Sequence, residues 1–437
     1  MGKHLINIER THLMNPSMNV VLKAEFAGEF KEDVFYKAVE ELQNAYEALT
    51  ATVQMDEDGK AYLVTSTAQA IPVIILEAGT PFEKLVVSEN SKRFKLDKEC
   101  LLRIYVIPLL NTFSVIMISH HLLGDGKSSI MLMEALGKAY VGESLKNVGI
   151  RLIKDSTELE DRSKMSLASR LYLNILNKNW RKMKKIFTSD DYKTLFRQYQ
   201  KEYASEVFTL SLNAVELRRL HYSCKEKKVT INSAVVAAFT YAQKELNVRH
   251  TEHIDRVGIG VDIREQLGFE ASELIGNYAS VVSIRQGEIP AIPFEKFAGQ
   301  IHKRLQKKLN TPADRMLGLQ ALDKLDDSLV DAVYFTQYTD FYQNKTAQTC
   351  AKIFGYERQP HGLGITNLGN VSKSIATSTN LESLLFIPPA APCNDMTIGV
   401  VTYQGVMQIG ISYQVSCMNF ELMKRTCKRA KELLVNY

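Results

Sequence analysis

Hydrophobic positions change period along the chain, and the changes mark its elements. Val20, Leu22, Ala24 and Phe26 alternate with other positions up to Gly28, the two-residue period of a strand. From Lys31 to Asn44 the apolar residues Val34, Phe35, Ala38 and Leu42 recur at helical spacing. Strands are expected near 60–65, 71–76 and 101–108. Phe113 to Ser119 is a nearly unbroken apolar run, which predicts a strand buried on both faces. A helix follows from about Lys127 to Tyr140.

The middle of the chain reads differently. Residues 171–187, LYLNILNKNWRKMKKIF, predict a helix with a basic stripe, and the chain then stays charged and tyrosine-rich to about 205. Beyond it the earlier pattern returns, with a strand at 206–212 and a helix at 213–226. A second helix follows, with Thr230 as its cap. A further strand is expected at 257–263. Near the end, 397–403 and 406–413 read as a hairpin around Gln404-Gly405, with Met407, Ile409, Ile411 and Tyr413 on one face. The last helix is expected over 419–435. These elements predict an α/β chain with mixed sheets, built as two halves of related layout: 1–180, a linking stretch at 181–205, and 206–437.

Composition narrows the class. A chain of 437 residues exceeds one ordinary core. A formal charge of +5 does not argue for nucleic acid, but suits an anionic cofactor or an acidic carrier protein. The six cysteines form no CxxC pair and are expected to be reduced and mostly buried. The first residues, MGKHLINIERTHLM, lack a secretory pattern, and no apolar run is long enough to span a bilayer, so a cytoplasmic location is expected.

The chemistry concentrates in SHHLLGDGKSS, residues 119–129. Gly126-Lys127-Ser128 resembles the end of a phosphate-cradling loop, but that motif needs glycine at position 121, where His121 stands. A metal site is disfavoured, because adjacent strand residues such as His120 and His121 point to opposite faces. The other histidine cluster, His250 and His253 with Glu252 and Asp255, reads as a solvated loop. Two readings remain: core histidines satisfied by hydrogen bonds, or one imidazole presented at a strand end as a general base. In the second, Asp125 holds the turn and Gly126 leaves room beside the ring.

His120-His121-Leu122-Leu123-Gly124-Asp125-Gly126 resembles the HHxxxDG signature of the chloramphenicol acetyltransferase-like superfamily, which includes condensation domains and alcohol acyltransferases. Phe94-Lys95-Leu96-Asp97 with Leu101-Leu102-Arg103-Ile104 is similar to another of its segments. So are Val261-Asp262-Ile263-Arg264 with Gly276-Asn277, Thr366-Asn367-Leu368-Gly369, and Phe386-Ile387-Pro388-Pro389. The resemblance implies two acetyltransferase-like subdomains with an active-site tunnel between them. It implies His121 as the catalytic base, His120 and Asp125 as supports, and Arg264 as a partner for Asp125. It places Asn277, Thr366 and Asn367 along the tunnel, with a structural role as the alternative for Asn277 and an ordinary strand-end turn as the alternative for Thr366 and Asn367. It also implies acyl transfer from a thioester to a hydroxyl or amine, without metal or tightly bound cofactor. One departure stands out: Ala45-Tyr46-Glu47-Ala48-Leu49-Thr50 occupies the place of the family's R-H-x-x-L-R. No adenylation or carrier domain is recognisable, so the donor is expected as acyl-CoA or on a separate carrier protein, and the acceptor as a small molecule.

Overall fold

The computed structural model describes residues 2–159, 165–246, 256–285, 292–356, 362–391 and 393–437. The described chain runs β1 (Lys3–Ile6), β2 (Asn19–Ala27), α1 (Glu32–Ala45), β3 (Thr52–Met55), β4 (Ala61–Val64), β5 (Val73–Ile75), α2 (Phe82–Asn90), β6 (Leu102–Pro108), β7 (Thr112–His120) and α3 (Gly126–Tyr140). It continues with α4 (Leu167–Arg181), α5 (Ser189–Glu202), β8 (Ser205–Leu212), α6 (Ala214–Glu226), α7 (Ile231–Glu245), β9 (Arg256–Asp262) and β10 (Ala279–Arg285). Then come α8 (Phe294–Leu309), α9 (Pro312–Lys324), α10 (Asp327–Tyr338), α11 (Lys345–Phe354), β11 (Gly362–Asn370), β12 (Leu381–Ile387), β13 (Asn394–Tyr403), β14 (Val406–Gln414) and α12 (Phe420–Val435).

Two mixed sheets organise these elements. One has the order β12-β2-β7-β6-β5, the other β10-β9-β11-β13-β14-β8, and a small sheet β1-β4-β3 flanks the first. β7 is buried on both faces, as its unbroken apolar run requires: Val115 and Met117 enter the larger core, while Ile116 and Ile118 enter a second cluster on the reverse. The alternating β2 residues Val20, Leu22, Ala24 and Phe26 all join the larger core. In the second sheet, Met407, Ile409, Ile411 and Tyr413 pack into a separate core with α7 and α12 residues.

The two cores do not follow the division of the chain at 181–205. β12, far downstream, pairs antiparallel with β2 in the first sheet. It crosses β13 and β14 so closely that a Cβ on Gly399 or Gly410 would lie 2.6 or 2.3 Å from the carbonyl oxygen of Phe386. α10 and α11 also pack into the N-terminal core. There Arg10 pairs with buried Asp331, and Trp180 donates to Ser328 Oγ at 2.9 Å. The stretch expected as a linker is instead α5, capped by Thr188 and anchored through buried Tyr192, Leu195, Phe196 and Tyr199. The basic helix expected over 171–187 stops at Arg181, and its outer face exposes Leu167, Leu171 and Ile175 as well as cations. No helix among the described residues is long and apolar enough to cross a membrane.

Candidate functional site

The histidine loop is held from both halves of the chain. β2 pairs with β7 as far as Asn19 opposite His120. The next amide, His121 N–H, donates to Met18 O at 2.8 Å, so the strand pairing fixes the backbone of His121 as well. Asp125 then caps α3, its Oδ1 accepting from Ser128 N–H at 2.9 Å and satisfying an otherwise orphaned amide.

Asp125 is also the centre of a buried polar cluster. Arg264 Nη1 and Nη2 donate to its two carboxylate oxygens at 2.8 and 3.0 Å, and Tyr278 N–H donates to Oδ2 at 3.1 Å. Asp125 N–H donates in turn to Gly276 O at 3.1 Å, and Ser128 Oγ to the same carbonyl at 2.9 Å. Asp125 and Arg264 are only 5% and 7% exposed, so neither charge is shared with water. Removing one partner of such a pair costs about 3–5 kcal/mol. Residues 264–278 are thereby fastened to the loop. At the rim, exposed Lys127 pairs with Asp262.

The next residue, Asn277, sets the state of His121. Its Nδ2 donates to His121 O at 2.6 Å, which fixes the amide's orientation and leaves Oδ1 facing the ring. Oδ1 lies 2.8 Å from His121 Nδ1. An amide oxygen can only accept, so Nδ1 carries the proton and Nε2 of the neutral ring keeps a lone pair. No described residue hydrogen-bonds Nε2. Burial lowers the His121 pKa below its ordinary 6.5, against the opposing pull of Asn277 and Asp125, so the ring stays neutral at pH 7.

His12 lies parallel to His121, centroids 4.4 Å apart and planes 3° from parallel. Burial, with both neighbouring histidines, holds His12 well below 6.5, so it is a neutral plate against one face of His121. His120 differs again. It is 3% exposed, touches Phe94 edge-on, and accepts the Leu122 amide on Nδ1 at 3.2 Å.

Several expectations need correcting. Gly126 does not leave room for substrate: a Cβ there would lie 2.8 Å from Leu368 and 3.0 Å from Phe386, so the glycine lets α3 pack against β11 and β12. The Asn277 amide is engaged with His121 on both sides, its Nδ2 at the carbonyl and its Oδ1 at the ring. Thr366 and Asn367 lie within β11, not in a turn. Asn367 caps the amide of Gly369 and approaches Asn232; neither residue hydrogen-bonds the histidine loop. His250, His253, Glu252 and Asp255 lie outside the described residues. Among the described residues, no group of three or more His, Cys, Asp or Glu side chains is placed to hold a metal ion.

With this geometry the comparison with known proteins is decisive. The family model described as Condensation domain matches residues 10–360. The chain belongs to the condensation-domain family. Acyl or peptidyl transfer is this family's general chemistry. The chain is 22% identical over 288 residues to surfactin synthase subunit 1 of Bacillus subtilis (strain 168), a match covering 65% of this chain and 8% of that protein. Among solved structures it is similar to the first condensation domain of the CDA synthetase (TM-score 0.63, 12% identity, 100% of this chain and 97% of that one). It is similar too to the trichothecene 15-O-acetyltransferase TRI3 of Fusarium sporotrichioides (TM-score 0.66, 12% identity, 99% and 94%). The fold is therefore that of the chloramphenicol acetyltransferase-like superfamily. Within this condensation-domain member, the participant hidden from the sequence is His12, which reaches His121 only through the fold.

Proposed function

We propose that the protein moves an acyl group from a thioester to an acceptor hydroxyl or amine, with His121 as general base. The observation that carries this reading is the hydrogen bond from His121 Nδ1–H to Asn277, which leaves Nε2 unprotonated at pH 7. As the acceptor oxygen or nitrogen attacks the thioester carbonyl carbon, its proton passes to Nε2. Collapse of the tetrahedral adduct breaks the C–S bond, and the departing thiolate takes the proton back from Nε2, restoring the neutral ring. No metal or resident cofactor has a role in this scheme.

Thr366 and Asn367, within β11, are the residues we assign to the wall of a substrate tunnel. The donor arrives as acyl-CoA or on the phosphopantetheine arm of an acidic carrier protein. The mixed apolar and cationic outer face of α4 suits either the carrier or CoA phosphates. The absence of the R-H-x-x-L-R pattern at residues 45–50 supports a hydroxyl acceptor over the typical peptide-forming reaction. Incubation with a panel of acyl-CoA and carrier-bound thioesters, with alcohols, amines or neither, tests this by release of thiol. Acceptor-dependent release is expected. Release in water alone would make the protein a hydrolase, and no release from any donor would leave a catalytically silent binder.

A further inference from the structure

Two freedoms decide where the Nε2 lone pair of His121 points, and Asn277 removes only one. The hydrogen bond from Nδ1–H to Asn277 Oδ1, at 2.8 Å, fixes which edge of the ring faces the downstream half of the chain. Rotation about the Cβ–Cγ bond is left, because that torsion is broad in histidine rather than confined to sharp wells. A modest swing of the ring plane stretches the Asn277 contact little, yet it re-aims the lone pair.

His12 closes the second freedom. Its ring lies over His121 with centroids 4.4 Å apart and planes 3° from parallel, so a turn of the His121 plane drives one edge into His12. The plate is itself anchored. His12 ends the short 3₁₀ helix Ile8–His12, and the two residues before it fasten that helix to α10. Arg10 pairs with Asp331, both side chains 1% exposed, and Thr11 O accepts from Tyr334 O–H at 2.7 Å. Met18 adds a further hold. Its sulfur lies 3.4 Å from His12 Nδ1, and a thioether has no proton to give, so the ring donates. Its carbonyl accepts from His121 N–H at 2.8 Å. One residue thereby registers the upper ring against the backbone of the ring beneath it.

We infer that His12 is a positioning residue for acyl transfer: its stacked ring holds the plane of His121, so that Nε2 meets the acceptor's proton. The inference rests on His121 as the base. Asn277 selects the tautomer and His12 the plane, and a proton acceptor has to be aligned in both respects. The role needs a flat, uncharged ring. A cationic plate would oppose the imidazolium that His121 becomes, and burial beside two other histidines keeps His12 neutral. Another flat aromatic ring meets both requirements, whereas a methyl group supplies no plane.

The test compares His12→Ala and His12→Phe with the wild type, each as the full chain. In acceptor-dependent thiol release, His12→Ala is expected to lower kcat about 10–100-fold with KM for donor and acceptor unchanged. His12→Phe should bring kcat back to within about threefold of the wild type. A second readout needs no turnover: relaxation of the His121 ring carbons in chains carrying ¹³C-labelled histidine. The ring should be rigid in the wild type and His12→Phe, and mobile on the picosecond-to-nanosecond scale in His12→Ala. A His121 ring as rigid in His12→Ala as in the wild type overturns the inference, with or without turnover. So does equal loss of kcat in the two variants, or a loss carried by KM. A wild type that releases no thiol sinks acyl transfer itself, and the ring measurement still decides whether His12 holds the plane.

Discussion

His120 takes a main-chain N–H on Nδ1, whereas His121 gives its Nδ1 proton to Asn277. The two rings, adjacent in the chain, are thus opposite tautomers, one with a proton on Nε2 and the other with a lone pair there. The first is buried at the end of a paired strand; the second is half-buried, just past the strand's last residue. The difference teaches that the repeated histidine is two devices. One partner is supplied locally, two residues away, and the other comes from 156 residues downstream.

The largest effect should come from breaking the clamp that brings Asn277 to the loop. Arg264→Leu leaves Asp125 buried without its ion partner, and is expected to destabilise the fold by about 3–5 kcal/mol in urea unfolding. Asp125→Asn should fall in the same direction. An effect below about 1 kcal/mol would mean that the pair is no clamp.

Asn277→Leu sharpens the comparison at the ring itself. It frees His121 to place its proton on either nitrogen, and is expected to lower kcat about 10–100-fold, the cost of about 1–3 kcal/mol for a lost buried hydrogen bond. His120→Asn keeps an acceptor near Nδ1 for the Leu122 amide and should leave kcat within about tenfold. Equal loss in the two variants would erase the distinction between the histidines.

Acid should act on both rings together with His12. Burial holds all three below 6.5, with His120 at about 3, so the unfolded chain binds more protons in acid than the folded one. Their contribution to stability is full above 6.5 and is lost as pH falls through the folded values. His12→Phe keeps a flat ring against His121 and should make the acid fall shallower. The acid limb of kcat/KM should likewise lie below 6.5.

Much of the framework was legible because it rests on local periodicity. The strand from Phe113 to Ser119, the cap Thr230 and the hairpin around Gln404-Gly405 are visible in patterns only a few residues long. What escaped depends on distance. No strand is expected from the sequence at 381–387, and nothing local says that β12 crosses to pair with β2. Residues 189–202 look charged because α5 exposes a polar face, while every buried position on it is an aromatic or leucine. The site shows the same split: the loop is contiguous in sequence, but His12 enters by stacking, and Asn277 by hydrogen bonds across the two halves.

The central claim is that His121 Nε2 takes the acceptor's proton. The most direct measurement is acceptor-dependent thiol release by the wild type and by His121→Ala, each shown to be folded, on the best thioester donor found. The account predicts a loss of about 10²–10⁴-fold in kcat with little change in unfolding midpoint. Full activity in His121→Ala would contradict it.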